Sequence, residues 1–215
     1  MQTRTYFTGK ATTMTADLYA FDAEYRTQYG VICGVDEAGR GPLCGPVCIA
    51  AVILDKNCPI DGINDSKQLT EKKREALYPQ IIEKALAYKI VWIEPAVIDE
   101  INILNATMLG MKQAIEGLDF VPALALIDGN RCPETELPTE AIVKGDAKSA
   151  SISAASILAK VSRDRYMVQL AAEYPQYKLE QHKGYPTKLH YELLDQYGLQ
   201  PFYRRSFLKK RGYVK

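Results

Sequence analysis

Four carboxylates stand where apolar runs stop. Asp36 and Glu37 follow Val31–Val35, Asp128 follows Ala123–Ile127, and Asp146 follows Ala141–Val143 after Lys144-Gly145. In open α/β sheets, ligand sites gather beyond the carboxyl ends of strands. Acids converging there without partners repel one another and retain protons. Divalent cations remove that conflict, and oxygen-only donors favour Mg²⁺ or Mn²⁺ over zinc. Two such ions about 4 Å apart can activate water on one side of a phosphodiester and stabilise the leaving oxygen on the other.

Each acid also has an ordinary reading. Asp36 and Glu37 could open a polar turn, Asp128-Gly129 is a common turn dipeptide, and Asp146 could enter a helix. On the segment Val35–Pro42 alone the two readings are balanced, and three strand ends carrying acids favour the metal site. Adjacent strand residues point to opposite faces, so Asp36 and Glu37 reach one ion pair only if the backbone turns irregular after Asp36. Gly39-Arg40-Gly41 would permit that, and would let a ligand approach the backbone closely. Other chemistries fit poorly. There is no P-loop ending, no G-x-G-x-x-G after a strand and no G-x-S-x-G elbow. His182 and His190 stand far in sequence from any candidate nucleophile.

The elements that must position the acids alternate between strand and helix, which indicates an α/β layer fold. Ala16–Tyr25 is expected as a short helix, Val31–Val35 and Val47–Leu54 as strands, the second buried on both faces. Thr70 reads as the N-cap of a helix that Pro79 should kink or split. Tyr88–Ile93 is a strand, Pro95 opens a helix, and Leu104, Met108, Met111, Ile115 and Leu118 mark another. From Ala150 to Tyr174 the spacing of Ile152, Ile157, Val161, Val168 and Ala172 is helical. Thr187–Tyr197 is a last helix stopped by Gly198.

The 215 residues, 47% of them hydrophobic, suit one ordinary core with a helical appendage. A net charge of +1 excludes a global basic field. Basic residues instead collect at Arg204, Arg205, Lys209, Lys210, Arg211 and Lys215, interleaved with Phe202, Tyr203, Phe207 and Tyr213. That is the composition of a nucleic-acid surface, or of a solvated tail. Five cysteines without a paired C-x-x-C pattern argue against a disulfide framework or a zinc cluster, and Cys33 and Cys48 read as buried hydrophobes. A reducing cytoplasm fits, and neither a signal peptide nor a membrane span is expected. Residues 1–15 read as a loose extension, with Met14 a candidate native start.

Several segments, taken in order, carry a resemblance across about four-fifths of the chain. They are GVDEAGRGPLCGPV at 34–47, NDSKQL at 64–69, LNATMLGMKQAI at 104–115, ALIDGN at 125–130, VKGDAKSASISAASILAKVSRDRYM at 143–167, HKGYPTKLH at 182–190 and YRRSF at 203–207. The chain resembles ribonuclease HII, departing little from the pattern, as at Cys44 where that family often has Ala. The resemblance implies an α/β, RNase H-like fold: a mixed five-stranded sheet flanked by helices, with a small helical C-terminal domain. On that basis residues 16–175 are expected to form the catalytic domain and 176–215 the substrate-binding region. It implies endonucleolytic cleavage of RNA in RNA–DNA hybrids and incision 5′ of single ribonucleotides in duplex DNA, using Mn²⁺ or Mg²⁺, two ions in the active complex. The family's acids fall on Asp36, Glu37, Asp128 and Asp146, its Gly-Arg-Gly element on Gly39, Arg40 and Gly41, and its substrate-sensing tyrosine on Tyr185. Lys67, Lys148, Arg204 and Arg205 are further expected substrate contacts. Ser149 could hold a phosphate or cap the following helix, and capping is the simpler role. Gln196, Leu199, Phe202 and Tyr203 have the spacing of a sliding-clamp box, but the resemblance already accounts for that segment, so no clamp binding is expected. The expected assembly is a monomer. A junction resolvase of related fold and an inactive hybrid-binding protein are the competing readings.

Overall fold

The structure is a computed structural model that describes the backbone of residues 9–214 and the side chains of residues 15–214. Among the described residues, five strands form one sheet in the order β3-β2-β1-β4-β5. These are β1 (Ile32–Ala38), β2 (Val47–Leu54), β3 (Ala85–Ile93), β4 (Leu124–Asp128) and β5 (Thr139–Ile142). β1 runs antiparallel to β2 and β2 antiparallel to β3, while β1, β4 and β5 are parallel. The sheet is therefore mixed, with its parallel half built around β1 and β4.

β2 is a continuous apolar run because both faces of the sheet are covered. Val47, Ile49, Ala51 and Ile53 pack with Ile98, Met111 and Ile115 of α3 (Pro95–Glu116). Cys48, Ala50, Val52 and Leu54 pack with Leu77 and Ile81 of α2 (Glu71–Lys84) and with Ala154, Leu158 and Val161 of α4 (Ala150–Glu173). The period of two in the strand thus divides its side chains between two helical layers.

α4 lies unusually close to the sheet. A Cβ added at Gly34 would sit 2.1 Å from the Ser151 carbonyl carbon, so only glycine lets the helix start rest on β1. Small residues at 150, 151, 153, 154, 155 and 156 continue that contact. Val161 is buried as its spacing predicts, but Val168 and Ala172 are exposed. Farther along, the buried face is made by Met167, Leu170 and Ala171, which carry the C-terminal segment.

Two local expectations need revision. α1 spans Gly9–Tyr29, so the stretch expected as a loose extension over 1–15 is helical from Gly9; residues 1–8 lie outside the described residues. Pro79 does not divide α2, because it lies on the exposed side while Leu77 and Ile81 hold the opposite face in the core. The two helices expected after Pro95 and around Leu104–Leu118 are both present, joined within α3 at Asn102, whose φ of 68° breaks the helical path. The Asn102 carboxamide oxygen accepts from the amides of Leu104 and Asn105, each at 3.0 Å, and so caps the second half.

Beyond α4 come α5 (Leu179–His182), α6 (Lys188–Tyr197) and α7 (Arg205–Leu208), a small helical segment gathered round Tyr177, Phe202 and Tyr203. Thr187 caps α6 by accepting from the His190 amide at 3.2 Å, and Gly198 ends it. No helix among the described residues is long and apolar enough to cross a membrane. All five cysteines are free, with Cys33, Cys44 and Cys48 buried.

Candidate active site

Strand register brings the first two acids together. Val35 of β1 pairs with Ile127 of β4, so Asp36 and Asp128 leave adjacent parallel strands at the same level. Both belong to the face covered by α4. β5 pairs Ile142 with Asp128, and the chain then turns through Lys144, in the left-handed region at φ 57°, into a 3₁₀ turn holding Asp146. One carboxylate oxygen from each of Asp36, Asp128 and Asp146 lies within 4.8 Å of the others.

These carboxylates are held before any ligand arrives. Asp128 Oδ1 accepts from the amides of Gly145 at 2.7 Å and Asp146 at 3.3 Å, and Asp36 Oδ1 accepts from the Glu37 amide at 2.7 Å. The Asp146 turn is fixed from behind by α4: Ser153 Oγ donates to the Asp146 carbonyl at 2.6 Å. The start of α4 is anchored in turn by the buried Asp22 of α1, which accepts from Ser149 Oγ, Ser151 Oγ and the Ser151 amide. Nothing in the sequence singled out Asp22, because an acid in an amphipathic helix ordinarily faces water.

Burial and crowding favour the protonated forms of Asp36, Glu37 and Asp128. Burial pushes the Asp36 carboxyl well above the usual carboxylate range, and the charges of Glu37, Asp128 and Asp146 push it further. Asp128 is raised by burial and by Asp146, against the pull of the two amides. Glu37 is raised by burial despite the opposing charge of Arg40. Lys67 Nζ lies 2.7 Å from Asp146 Oδ2; desolvation disfavours its charge, but Asp146 and Asp36 prevail and hold the ammonium above its ordinary pKa. Oxygen-only donors carrying excess negative charge fit a hard divalent cation.

Glu37 stands apart. β1 does not turn irregular after Asp36: Glu37 still pairs with Ile49 and Ala38 with Cys48. Alternation therefore puts Glu37 outside the three-aspartate group, although it lines the same cleft, 3.3 Å from Arg40 Nη1.

The cleft, about 280 Å³, is bounded by Asp36, Glu37 and Asp128 on one side and by Gly39, Arg40, Gly41 and Tyr185 on another. Tyr185 is 41% exposed, and a Cβ at Gly41 would lie 3.8 Å from its ring. Lys67 lies on the remaining wall with Ser66, Arg74, Ser156 and Lys160, four residues that were not expected. Ser156, Lys160 and Arg163 recur at helical spacing within an otherwise small-residue, apolar face, a signal that was present in the sequence.

The other expected contacts fall elsewhere. Lys148 is exposed beside Asp17, Leu18 and Phe21, outside this cleft. Ser149 is buried and caps α4 through the Ile152 amide. Arg205 is exposed at the start of α7, its amide bonded to Asp99. Arg204 is wholly buried and points its guanidinium at main-chain carbonyls. Phe202 and Tyr203 are core residues, so they are neither stacking platforms for bases nor exposed anchors of a clamp-binding box. Arg211 lies over the Tyr191 ring at 4.0 Å, and Lys215 lies outside the described residues.

His182 and His190 are buried, stacked 4.1 Å apart. His190 bridges the Tyr185 carbonyl and the Tyr203 hydroxyl, and burial pushes its pKa down to about 4. They brace the Tyr185 loop and are not part of the acidic cluster.

Comparison with known proteins agrees with this geometry. The family model described as Ribonuclease HII matches residues 33–210. A Ribonuclease HII of Vibrio parahaemolyticus is 56% identical over 198 residues, 92% of this chain and 94% of that protein. The crystal structure of ribonuclease H2 from Pyrococcus horikoshii OT3 superposes with a TM-score of 0.70 at 31% identity, covering 85% of this chain and 96% of the other. Bst-RNase HIII in complex with Mn²⁺ shares the fold, with a TM-score of 0.64 at 16% identity over 99% of this chain and 75% of that one.

Proposed function

The chain belongs to the ribonuclease HII family, metal-dependent nucleases that act on RNA–DNA substrates, and we propose that it incises duplex DNA 5′ of a single embedded ribonucleotide as well as cleaving longer RNA–DNA hybrids. The observation that carries this reading is the meeting, in one cleft, of the aspartate cluster with the Gly39–Gly41 backbone and the Tyr185 ring. The first can break a phosphodiester bond; the second and third can choose which one.

In this reading Asp36, Asp128 and Asp146 hold divalent cations, Mg²⁺ or Mn²⁺, with Glu37 completing the acidic set from the cleft wall. Two ions suit the charge of the cluster, and the Mn²⁺ found with the HIII neighbour is consistent with its donor chemistry. When bound, they supply an activated water and neutralise the departing 3′ oxygen, so hydrolysis leaves 3′-hydroxyl and 5′-phosphate ends. The chain's own residues orient and select. Lys67 and Arg40 carry the positive charge that faces phosphate. The Gly39–Gly41 backbone hydrogen-bonds the 2′-hydroxyl, the one group that separates ribose from deoxyribose. Tyr185 packs against the next sugar downstream, where a further hydroxyl would crowd the ring. Residues 16–175 then supply chemistry and 176–215 supply Tyr185 and duplex contact, the second packed onto the first through Leu43, Met167 and Leu170. The free cysteines suit a reducing cytoplasm.

The test is single-turnover cleavage of a duplex carrying one ribonucleotide, with Mg²⁺ or Mn²⁺. The expected product is a single cut on the 5′ side of the ribonucleotide. Binding without cleavage, or cleavage only of branched junctions, would refute the reading in favour of an inactive binder or a resolvase.

A further inference from the structure

The most heavily built polar feature outside the acids is a pair of buried arginines. Arg204 is 0% exposed and Arg163 1%. The hydrogen bonds described for both guanidiniums end on main-chain carbonyls. Arg204 donates to Gly39 at 2.6 Å, Arg40 at 3.0 Å, Pro42 at 2.9 Å and Gly45 at 2.9 Å. Arg163 donates to Cys44 at 3.2 Å, Pro46 at 3.1 Å and Lys183 at 3.1 Å. Gly39, at φ +96°, leaves room for this: a Cβ there would lie 1.9 Å from Arg163 Nε.

We propose that Arg163 and Arg204 are positioning residues that aim the Gly39–Gly41 amides and fix their separation from Tyr185, and so set how sharply the cleft singles out a lone ribonucleotide. The proposal rests on the roles given above to that backbone and that ring.

The stereochemistry of the peptide bond carries the first half. In a trans peptide the carbonyl and the following N–H point in opposite directions. Arg204 draws the Gly39 and Arg40 carbonyls inward, so the N–H groups of Arg40 and Gly41 are turned outward, toward the cleft these residues line. Two donors are thereby aimed at one place without any side chain of their own. Connectivity carries the second half. Arg204 comes from the C-terminal segment and Arg163 from α4, and Arg163 holds the 44–46 stretch and Lys183 at once. The Leu43 amide donates to the Gly184 carbonyl at 2.8 Å and the Arg204 amide to the Leu43 carbonyl at 2.9 Å, beside Tyr185. The two readers of the substrate are therefore tied to each other through the arginines and the 43–46 backbone. Lysine could not replace either one, since a single ammonium lacks the planar fork that spans several carbonyls.

The experiment compares kcat and KM on two duplexes, one with a single ribonucleotide and one with a continuous RNA strand. The proteins are the wild type, Arg204→Lys, Arg163→Lys, Tyr185→Ala and the Arg204→Lys/Tyr185→Ala double variant. A continuous RNA strand offers many 2′-hydroxyls in many registers and tolerates slack, whereas a lone ribonucleotide does not. Each lysine variant should therefore lower kcat/KM on the single ribonucleotide roughly ten- to a hundredfold more than on the continuous strand, as expected for a misplacement near 1 Å. The Mn²⁺-induced rise in Tm should persist, which separates loss of aim from loss of the acidic cluster. In the double variant, Arg204→Lys should add little to the selectivity already lost with Tyr185, since the two act as a unit.

Folded lysine variants with unchanged selectivity, or full additivity with a Tyr185→Ala variant that itself loses selectivity, would overturn the proposal. If Arg204→Lys does not fold, Arg163→Lys decides. If neither folds, the pair serves folding and the proposal fails. Should Tyr185→Ala leave selectivity unchanged while the lysine variants lose it, the reading of Tyr185 is what fails, and the aiming of the Gly39–Gly41 amides stands.

Discussion

Replacing Asp36 by Asn should make the metal-free protein more stable and the enzyme inactive. Asp36, Asp128 and Asp146 present oxygens within 4.8 Å of one another, and Asp36 is 4% exposed. At that separation and an effective dielectric constant of about 20, each fully ionised pair costs about 3.5 kcal/mol. Asp36 has two such neighbours, but Lys67, 2.7 Å from Asp146, offsets one of them. Protons retained by the cluster relieve part of the rest, leaving on the order of 2 kcal/mol for the substitution to release near neutral pH. Asn keeps the shape of Asp and an oxygen to accept the Glu37 amide, so little else is lost. For a chain of this length about 2 kcal/mol corresponds to about 4–8 °C in Tm. Thermal unfolding in EDTA, then with added Mg²⁺ or Mn²⁺, reads both halves of the argument: the variant should melt higher than wild type without metal and gain much less from it. A metal-free Tm equal to or below wild type, or an undiminished metal-induced rise, would refute this account of the cluster. So would near-normal cleavage by the folded variant.

The same charges set a pH dependence. Asp36, Glu37 and Asp128 hold protons more tightly folded than unfolded, so their destabilising effect is absent below the ordinary carboxylate pKa of about 4 and grows as pH rises through their raised values. Metal-free Tm should fall over that window and saturating Mg²⁺ should flatten the fall; a Tm that rises there in EDTA would contradict the assignment. Asp22→Ala should cost about 2–4 kcal/mol, because three hydrogen bonds at the buried start of α4 lose their acceptor, and should weaken the metal-induced stabilisation as the Asp146 turn loosens. Denaturant unfolding showing a loss under about 1 kcal/mol would remove Asp22 as the anchor. Tyr185→Phe should keep most selectivity for a single ribonucleotide that Tyr185→Ala loses, since the flat ring does the packing; equal kcat/KM losses in both would assign the effect to the hydroxyl.

Much of this protein was legible in local sequence. Strand and helix periods depend on neighbours two to four residues apart, and β2, α4 and α6 begin and end close to where their patterns do. Thr70, Thr187 and Gly198 cap their helices for reasons contained within a few residues. The acids were visible because each ends an apolar run. The errors came where distant atoms decide. Pro79 stays helical because the rest of α2 is held in the core, and Val168 is exposed because the C-terminal segment packs on Met167 and Leu170 instead.

The division is sharpest at the site. Sequence identified Asp36, Glu37, Asp128 and Asp146 as a set, but only the register of β1, β4 and β5 makes three of them immediate neighbours and leaves Glu37 on the cleft wall beside Arg40. Arg204 looked like a phosphate contact because an arginine beside aromatics usually faces solvent, whereas Ser149 caps α4 as its place before that helix suggested. Here more than a hundred residues of intervening chain fold back over them, carbonyls from Gly39 to Gly45 surround Arg204, and Asp22 takes Ser149. The pattern of residue types records which groups can do chemistry. Whether a given group faces substrate or braces the ones that do depends on contacts between segments far apart in the chain, and those exist only once it has folded.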